Sequence, residues 1–322
     1  MFAQLAATGA SRLLTRKAWL NRMTGGTVSV PYADVATGCT IWLKLEYMLP
    51  SGSTKDRVAA YLLSHGVETG AITENSIVVE ASSGSTSIAL AMACAVLGVK
   101  FRAVMPANVS RERLLIIQRY GGEAVLTSPA AGVVGAIEET RRMAAADPKV
   151  FLPRQFENPL NARAHQIKTG PELIDQVGTT IHGFVAGVGT GGTLMGIASA
   201  LRDAGQPTHI ARVLPQKGAV CFAGQPEVCG GIPGVIEGLS TILHPEQIAM
   251  GPDIHINEFE AIAATRELCN AGFSVGPSSG LNLAGARALA RHLGPGHTLA
   301  TVLCDRMERY FSTELFADIA TL

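Results

Sequence analysis

Three short segments concentrate the chemistry of this chain: Ser51-Gly52-Ser53-Thr54-Lys55-Asp56-Arg57, Ser82-Ser83-Gly84-Ser85-Thr86 and Gly187-Val188-Gly189-Thr190-Gly191-Gly192-Thr193. The first sets an amine between a tight turn and the helical pattern 56–63. A lysine desolvated at a helix N-terminus loses proton affinity and can attack a carbonyl. The second is a row of hydroxyls and backbone N–H groups after Val78-Val79-Glu80. It is suited to capping the next helix, to surrounding a carboxylate, or to both. The third follows the apolar run 184–186 and opens another helical pattern. Its glycines permit a tight turn, and its N–H groups attract an anion. Thr190 and Thr193 add hydroxyl donors. Together the segments suit a carbonyl-bearing phosphate cofactor held on a lysine.

Each segment also has a plainer reading. Lys55 alone is an ordinary solvated lysine, the serines are an N-cap with spare hydroxyls, and the glycines allow close helix packing. Gly187, Gly189 and Gly192 further satisfy the GxGxxG pattern of dinucleotide folds. That pattern calls for an acid roughly twenty residues on to hold the ribose. Between Asp203 and Glu227 there is none.

Strand-like runs at 41–45, 76–80, 100–105, 124–126, 183–186, 209–214 and 299–303 must position these segments. They alternate with helical patterns at 56–64, 86–97, 110–120, 135–146, 192–204, 258–271 and 279–292. Repeated strand then helix means an α/β protein with mostly parallel sheet. Ligands of such sheets collect at the carboxyl ends of strands, where all three segments fall. The length of 322 residues favours two lobes over one. The expected division is a smaller, mobile, substrate-side lobe at 48–153 and a larger cofactor-phosphate lobe made of 1–47 and 154–322. The crossing point is expected near 147–153.

Composition narrows the partners. The chain carries 26 basic and 26 acidic side chains and is 47% hydrophobic, a soluble globular balance without the basic footprint of a nucleic-acid binder. Its six cysteines form no CxxC pair and its eight histidines no HExxH. No metal is expected, and the cysteines read as buried reduced thiols of a cytoplasmic protein. The uncharged stretch 81–99 raises a membrane question, but its polar first half and the following Lys100 and Arg102 fit a buried helix. Arg12, Arg16, Lys17 and Arg22 resemble an organellar transit segment, and an ordinary basic helix is the preferred reading.

Taken together, these motifs resemble the cysteine synthase and cystathionine β-synthase family of pyridoxal-phosphate enzymes, of the fold type II, tryptophan-synthase-β-like group. The similarity runs from about Ile41 to the C-terminus. Lys44-Leu45-Glu46 and Gly52-Ser53-x-Lys55-Asp56-Arg57 match the lysine motif, and Glu80-x-x-Ser83-Gly84-x-Thr86 the carboxylate loop. Gln155-Phe156-x-Asn158-Pro159-x-Asn161 with Thr169-Gly170-Pro171-Glu172 matches the next segment. Gly189-Thr190-Gly191-Gly192-Thr193 matches the phosphate loop, and Gly276-x-Ser278-Ser279-Gly280 the serine motif.

The resemblance implies pyridoxal 5′-phosphate held as a Schiff base on Lys55, which later moves the α-proton. It implies phosphate binding by Gly189, Thr190, Gly191, Gly192 and Thr193, and carboxylate binding by Ser82, Ser83, Thr86 and Gln155. Ser278 would face the pyridine nitrogen. A neutral hydroxyl there makes the ring a weaker electron sink and favours prompt loss of a β substituent. β-Replacement on O-acetylserine or O-phosphoserine through a bound aminoacrylate follows, with sulfide or another small nucleophile. Cystathionine β-synthase-type condensation, β-elimination in the manner of a desulfhydrase or dehydratase, and a silent cofactor-binding regulator are the alternatives. A homodimer is expected from the resemblance alone. Several positions depart from the family pattern. Ser85 stands where asparagine usually flanks the cofactor phenol oxygen, Leu49 replaces an asparagine, Ser87 replaces a glycine and Pro277 stiffens the serine motif. Residues 25–29 poorly match the usual Gly-Asn-Thr-Pro-Leu.

Overall fold

A computed structural model of the chain describes residues 9–82, 84–216, 232, 235, 238–317 and 319. The chain divides into a unit of Met1–Gly25 with Lys55–Arg154 and a unit of Gly26–Thr54 with Gln155–Leu322. Each is built on one sheet flanked by helices, as the alternating pattern predicts.

The first unit holds α1 (Gly9–Met23), α2 (Lys55–Glu68), β3 (Ile77–Ala81), α3 (Ser85–Leu97), β4 (Lys100–Pro106), α4 (Arg111–Arg119), β5 (Glu123–Thr127), α5 (Gly132–Ala146) and β6 (Val150–Phe151). The strands, ordered β5-β4-β3-β6, are all parallel. Parallel strands covered on both faces read as near-continuous apolar runs. Here Val78, Phe101, Ala103 and Met105 join the core lined by α1 to α3, while Val79, Ala81 and Val104 face α5.

Helix α1 falls in this unit rather than in the larger one expected from the sequence. Leu13 and Leu20, one heptad apart, are buried in the same core as Leu63 and Ile88. Burying each contributes about 1.5–3 kcal/mol. Two of its basic residues are also tied down. Arg16 donates to the carbonyl of Leu97 at 3.0 Å, at the end of α3, and Lys17 pairs with Glu68 at 2.7 Å. The segment 81–99 forms β3's end and α3. Among the described residues no helix is long and apolar enough to cross a membrane.

The second unit holds β1 (Ser29–Asp34), β2 (Cys39–Leu45), α6 (Leu160–Ala164), α7 (Gly170–Val177), β7 (Gly183–Gly187), α8 (Gly192–Asp203), β8 (His209–Pro215), β9 (Ile254–Ile256), α9 (Glu258–Asn270), α10 (Pro277–Leu293) and β10 (Thr298–Leu303). The sheet order is β1-β2-β10-β7-β8-β9, parallel except for the β1–β2 pair. Alternate residues feed two cores. Leu299 and Leu303 pack with α9 and α10, whereas Ala300 and Val302 face the side of α7 and α8. Arg287 of α10 holds this unit's edge. It bonds Asp34 of β1 at 2.8 Å and both carboxylate oxygens of Glu267 of α9, at 2.7 and 2.6 Å.

Of the six cysteines, the buried Cys39 and Cys94 and the half-buried Cys269 and Cys304 are in no disulfide, and Cys221 and Cys229 lie outside the described residues. Burial pushes the Cys94 thiol far above its usual range, so it stays protonated.

Candidate active site

Both anion-suited loops lie where their sheet changes direction. In the smaller unit the chain leaves β3 towards β4 on one side while β6 pairs on the other; in the larger, β7 leads to β8 on one side and pairs β10 on the other. Open α/β sheets take ligands at the carboxyl ends of strands at such switch points.

The loop between β7 and α8 uses its glycines for different reasons. Gly191 has a φ of 82°, in the left-handed region that lets the turn enter the helix. A Cβ on Gly192 would stand 2.0 Å from Asn161 Oδ1. Asn161 has to sit there, because its Nδ2 donates to the carbonyl of Gln155 at 2.8 Å and to Thr190 Oγ1 at 2.9 Å. Thr190 Oγ1 also accepts the N–H of Gly192 at 3.3 Å. With both lone pairs engaged, this hydroxyl keeps its hydrogen for an outside acceptor. Ser240 Oγ reaches the carbonyl of Thr190 at 2.5 Å and that of Phe156 at 3.2 Å, strapping the loop to the segment that carries Gln155. Thr193 Oγ1 lies 3.3 Å from Nε2 of the buried His165. The first turn of α8 contains no acidic residue. The positive end of the helix, the hydroxyl hydrogen of Thr190 and a first helical turn free of acidic side chains fit the anionic tail of a phosphate cofactor.

The carboxyl ends of β7 and β10 are locked together by α10. Asn282 Oδ1 accepts the N–H of Gly187 at 2.7 Å, and its Nδ2 donates to the carbonyl of Val302 at 2.7 Å. Ser279 Oγ accepts the N–H of Cys304 at 2.9 Å. Ser278, half-buried, occupies the first turn of the same helix. The residues ahead of Lys55 are fastened to the same strand end. Thr54 N–H donates to the carbonyl of Cys304 at 2.9 Å, Arg306 N–H to that of Gly52 at 3.1 Å, and Arg309 Nη2 to that of Ser51 at 2.5 Å. Within the larger unit, then, hydrogen bonds tie the glycine loop to the segment carrying Gln155, and tie the start of α10 and residues 51–54 to the carboxyl end of β10.

In the smaller unit Lys55 is the half-buried first residue of α2, which packs against α3. Ser82 is held at three points. Its N–H donates to the carbonyl of Val104 at 3.1 Å, its Oγ accepts the N–H of Gly84 at 3.2 Å, and its carbonyl accepts from Ser87 Oγ at 2.6 Å. Thr86 is buried and Ser85 half-buried in the first turn of α3. Ser83 lies outside the described residues.

Two of the matched motifs are structural. Lys44 Nζ, fully buried, contacts the carbonyl of Thr27 at 2.7 Å, Gln176 Oε1 at 3.0 Å and Glu172 Oε2 at 3.0 Å. Glu46 accepts from the Thr27 hydroxyl at 2.6 Å. All three Lys44 ammonium hydrogens thus have acceptors, which makes this lysine a structural one. Among the described residues no group of three or more His, Cys, Asp or Glu is arranged to hold a metal.

Sequence reasoning assigned no role to Asn161, Ser240 or Asn282. For Asn282 a signal existed, an amide between Leu281 and Leu283 on an otherwise apolar helix face. Ser240 carried none.

Residues 23–305 match the family described as pyridoxal-phosphate dependent enzyme. A cysteine synthase from Staphylococcus aureus (strain Mu50) is 35% identical over 308 residues, covering 92% of this chain and 96% of that protein. An O-acetylserine dependent cystathionine β-synthase from Helicobacter pylori superposes with a TM-score of 0.84 at 31% identity, covering 92% of this chain and 98% of the other. A hydrogen sulfide-producing enzyme from Fusobacterium nucleatum does so with a TM-score of 0.86 at 30% identity, covering 96% and 94%. With a matching turn for the phosphate and a family match over most of its length, the chain belongs to the pyridoxal-phosphate dependent enzymes of fold type II.

Proposed function

We propose that this protein catalyses β-replacement on an activated L-serine, O-acetylserine or O-phosphoserine, with sulfide or another small nucleophile taking the place of the leaving group. The observation that carries the reading is the Thr190–Asn161–Gly192 arrangement, which presents a hydroxyl hydrogen and a helix N-terminus to an anion and ties both to Gln155. Bound pyridoxal 5′-phosphate supplies an electron sink that acidifies the amino acid's α-proton and lets the β substituent depart.

The chain's own residues do the rest. Gly189 to Thr193 hold the phosphate. Lys55 Nζ anchors the cofactor and then carries the α-proton. Ser82, Ser83, Thr86 and Gln155 receive the substrate carboxylate, and Ser85 lies beside the cofactor's phenol oxygen. Ser278, a neutral donor at the pyridine nitrogen, limits how much charge the ring stores and so favours rapid departure of the leaving group. The unit of Lys55–Arg154 is the substrate side, and the protein works as a cytoplasmic homodimer.

Borohydride reduction followed by peptide mass mapping should leave the cofactor's mass on Lys55. O-Acetylserine with sulfide should yield acetate and cysteine in equal amounts, and Lys55→Ala should lower the rate by about 10²–10⁴. Cofactor fixed to another lysine, or no acetate release, overturns the reading. The similarity to the sulfide-producing enzyme favours a second use of the same machinery, β-elimination of cysteine to sulfide, pyruvate and ammonia. Pyruvate formation that persists with excess nucleophile present would select it.

A further inference from the structure

Ser87 is fully buried in the first turn of α3, and its hydroxyl donates to the carbonyl of Ser82 at 2.6 Å. That bond spans the whole serine-rich loop, joining the carboxyl end of β3 to the helix five residues on. It closes a small circuit. Ser82 N–H is committed to Val104, Ser82 Oγ accepts from Gly84 N–H, and the carbonyl of Gly84 accepts from the N–H groups of Ser87 and Ile88 at 3.1 and 3.4 Å. The consequence for Ser82 is specific. Its backbone is fixed on both sides and its Oγ is used as an acceptor, so its hydroxyl hydrogen must point away from the loop. Without a hydroxyl at position 87 the Ser82 carbonyl, at the end of a buried strand, loses this donor and the peptide plane that sets the loop is released.

From this circuit we propose that Ser87 is a positioning residue that pre-orders the 82–86 loop, so that an amino-acid carboxylate meets donors already aimed and little ordering is left to the binding step. The inference rests on the reading of that loop as the carboxylate site. Ser87 acts through Ser82 and touches no substrate.

The test compares Ser87→Ala and Ser87→Thr with Thr86→Val in the cofactor-loaded enzyme. O-Acetylserine serves as substrate and L-methionine as a non-reacting amino-acid probe followed by the cofactor's absorbance. Ser87→Ala should raise KM and the methionine dissociation constant about fivefold, the size of one neutral hydrogen bond, with kcat within twofold. Ser87→Thr, which keeps the hydroxyl, should restore both. Amide exchange at Gly84 and Ser85 in cofactor-free protein should speed up in Ser87→Ala and not in Ser87→Thr. If Thr86→Val weakens methionine binding while Ser87→Ala leaves binding and exchange unchanged, the tether is refuted and the loop assignment survives. If Thr86→Val has no effect on binding either, the carboxylate assignment itself fails. A fall in kcat equal to the rise in KM would also count against a positioning role.

Discussion

The two switch-point loops solve one problem by different means. Each leaves a parallel strand, enters a helix, and contains a hydroxyl that accepts the N–H two residues on: Gly84 to Ser82 Oγ and Gly192 to Thr190 Oγ1. In both this local turn occupies lone pairs and turns the hydrogen outward. They differ in what keeps the turn in shape. The 187–193 loop is held from outside, by Asn161, Ser240 and Asn282, which arrive from other parts of the larger unit. The 82–86 loop is held by its own neighbour Ser87 and by the next strand. A loop braced by side chains from several elements tolerates little change; where a near neighbour's side chain supplies a brace, one substitution can retune it.

The sharpest contrast is between two glycines. Gly192 has Asn161 Oδ1 2.0 Å from where a Cβ would go, while nothing lies within 4 Å of one on Gly84, whose φ is −127°. Gly192→Ala should weaken cofactor binding about 30-fold, for an overpacking cost near 2 kcal/mol. Gly84→Ala should change it less than twofold, as read by cofactor titration. Equal effects would break the comparison. Next in size, Asn161→Ala should cost about tenfold in cofactor affinity, since two hydrogen bonds are lost. In that background Gly192→Ala should become nearly neutral, a coupling that a double-mutant cycle measures directly. Smaller again, Thr190→Val should weaken the cofactor about fivefold without altering amino-acid affinity of the loaded enzyme, and Ser82→Ala should do the reverse.

The smallest effect lies away from both loops and serves as their control. Burial, with the Glu314 charge adding to it, pushes the Glu258 carboxyl up to about 7, and its Oε1 is buried without a partner. A carboxyl whose folded pKa is raised contributes stability at low pH that is lost as pH climbs from its unfolded value near 4.5 through about 7. Glu258→Gln should therefore gain on the natural protein by on the order of 2 °C in Tm at pH 8 and little at pH 4.5. Glu267 runs oppositely. Hydrogen bonding to Arg287 holds it below the usual range, so its contribution is present above its unfolded pKa and fades on acidification. A loop variant whose Tm changes with pH along either profile would be acting through the edge of the larger unit.

Much of this was legible in the chain itself. The runs at 76–80, 100–105 and 299–303 read as strands from their β-branched and apolar content and their alternation with helical patterns, and Lys55 and the two loops fell at strand-to-helix corners because the motifs contain the turn residues. The short β6, β9 and α6 were not legible, since two to five residues carry no periodicity and are held by partners distant in sequence. Nor was the placement of α1, whose polar face resembles a leader while its Leu13–Leu20 face is what the smaller unit buries.

Sequence by itself determined which groups exist and their order, an amine, a hydroxyl row and a glycine turn, because those depend on residue type and near neighbours. Only the tertiary structure decided which hydroxyls have their lone pairs engaged within the fold, why position 192 has no side chain, and that the Lys44 ammonium is filled by acceptors while Ser87 bonds the Ser82 carbonyl. Each of those depends on a partner brought from elsewhere by the packing of strands and helices, and hydrogen-bonding capacity is used up in space rather than along the chain.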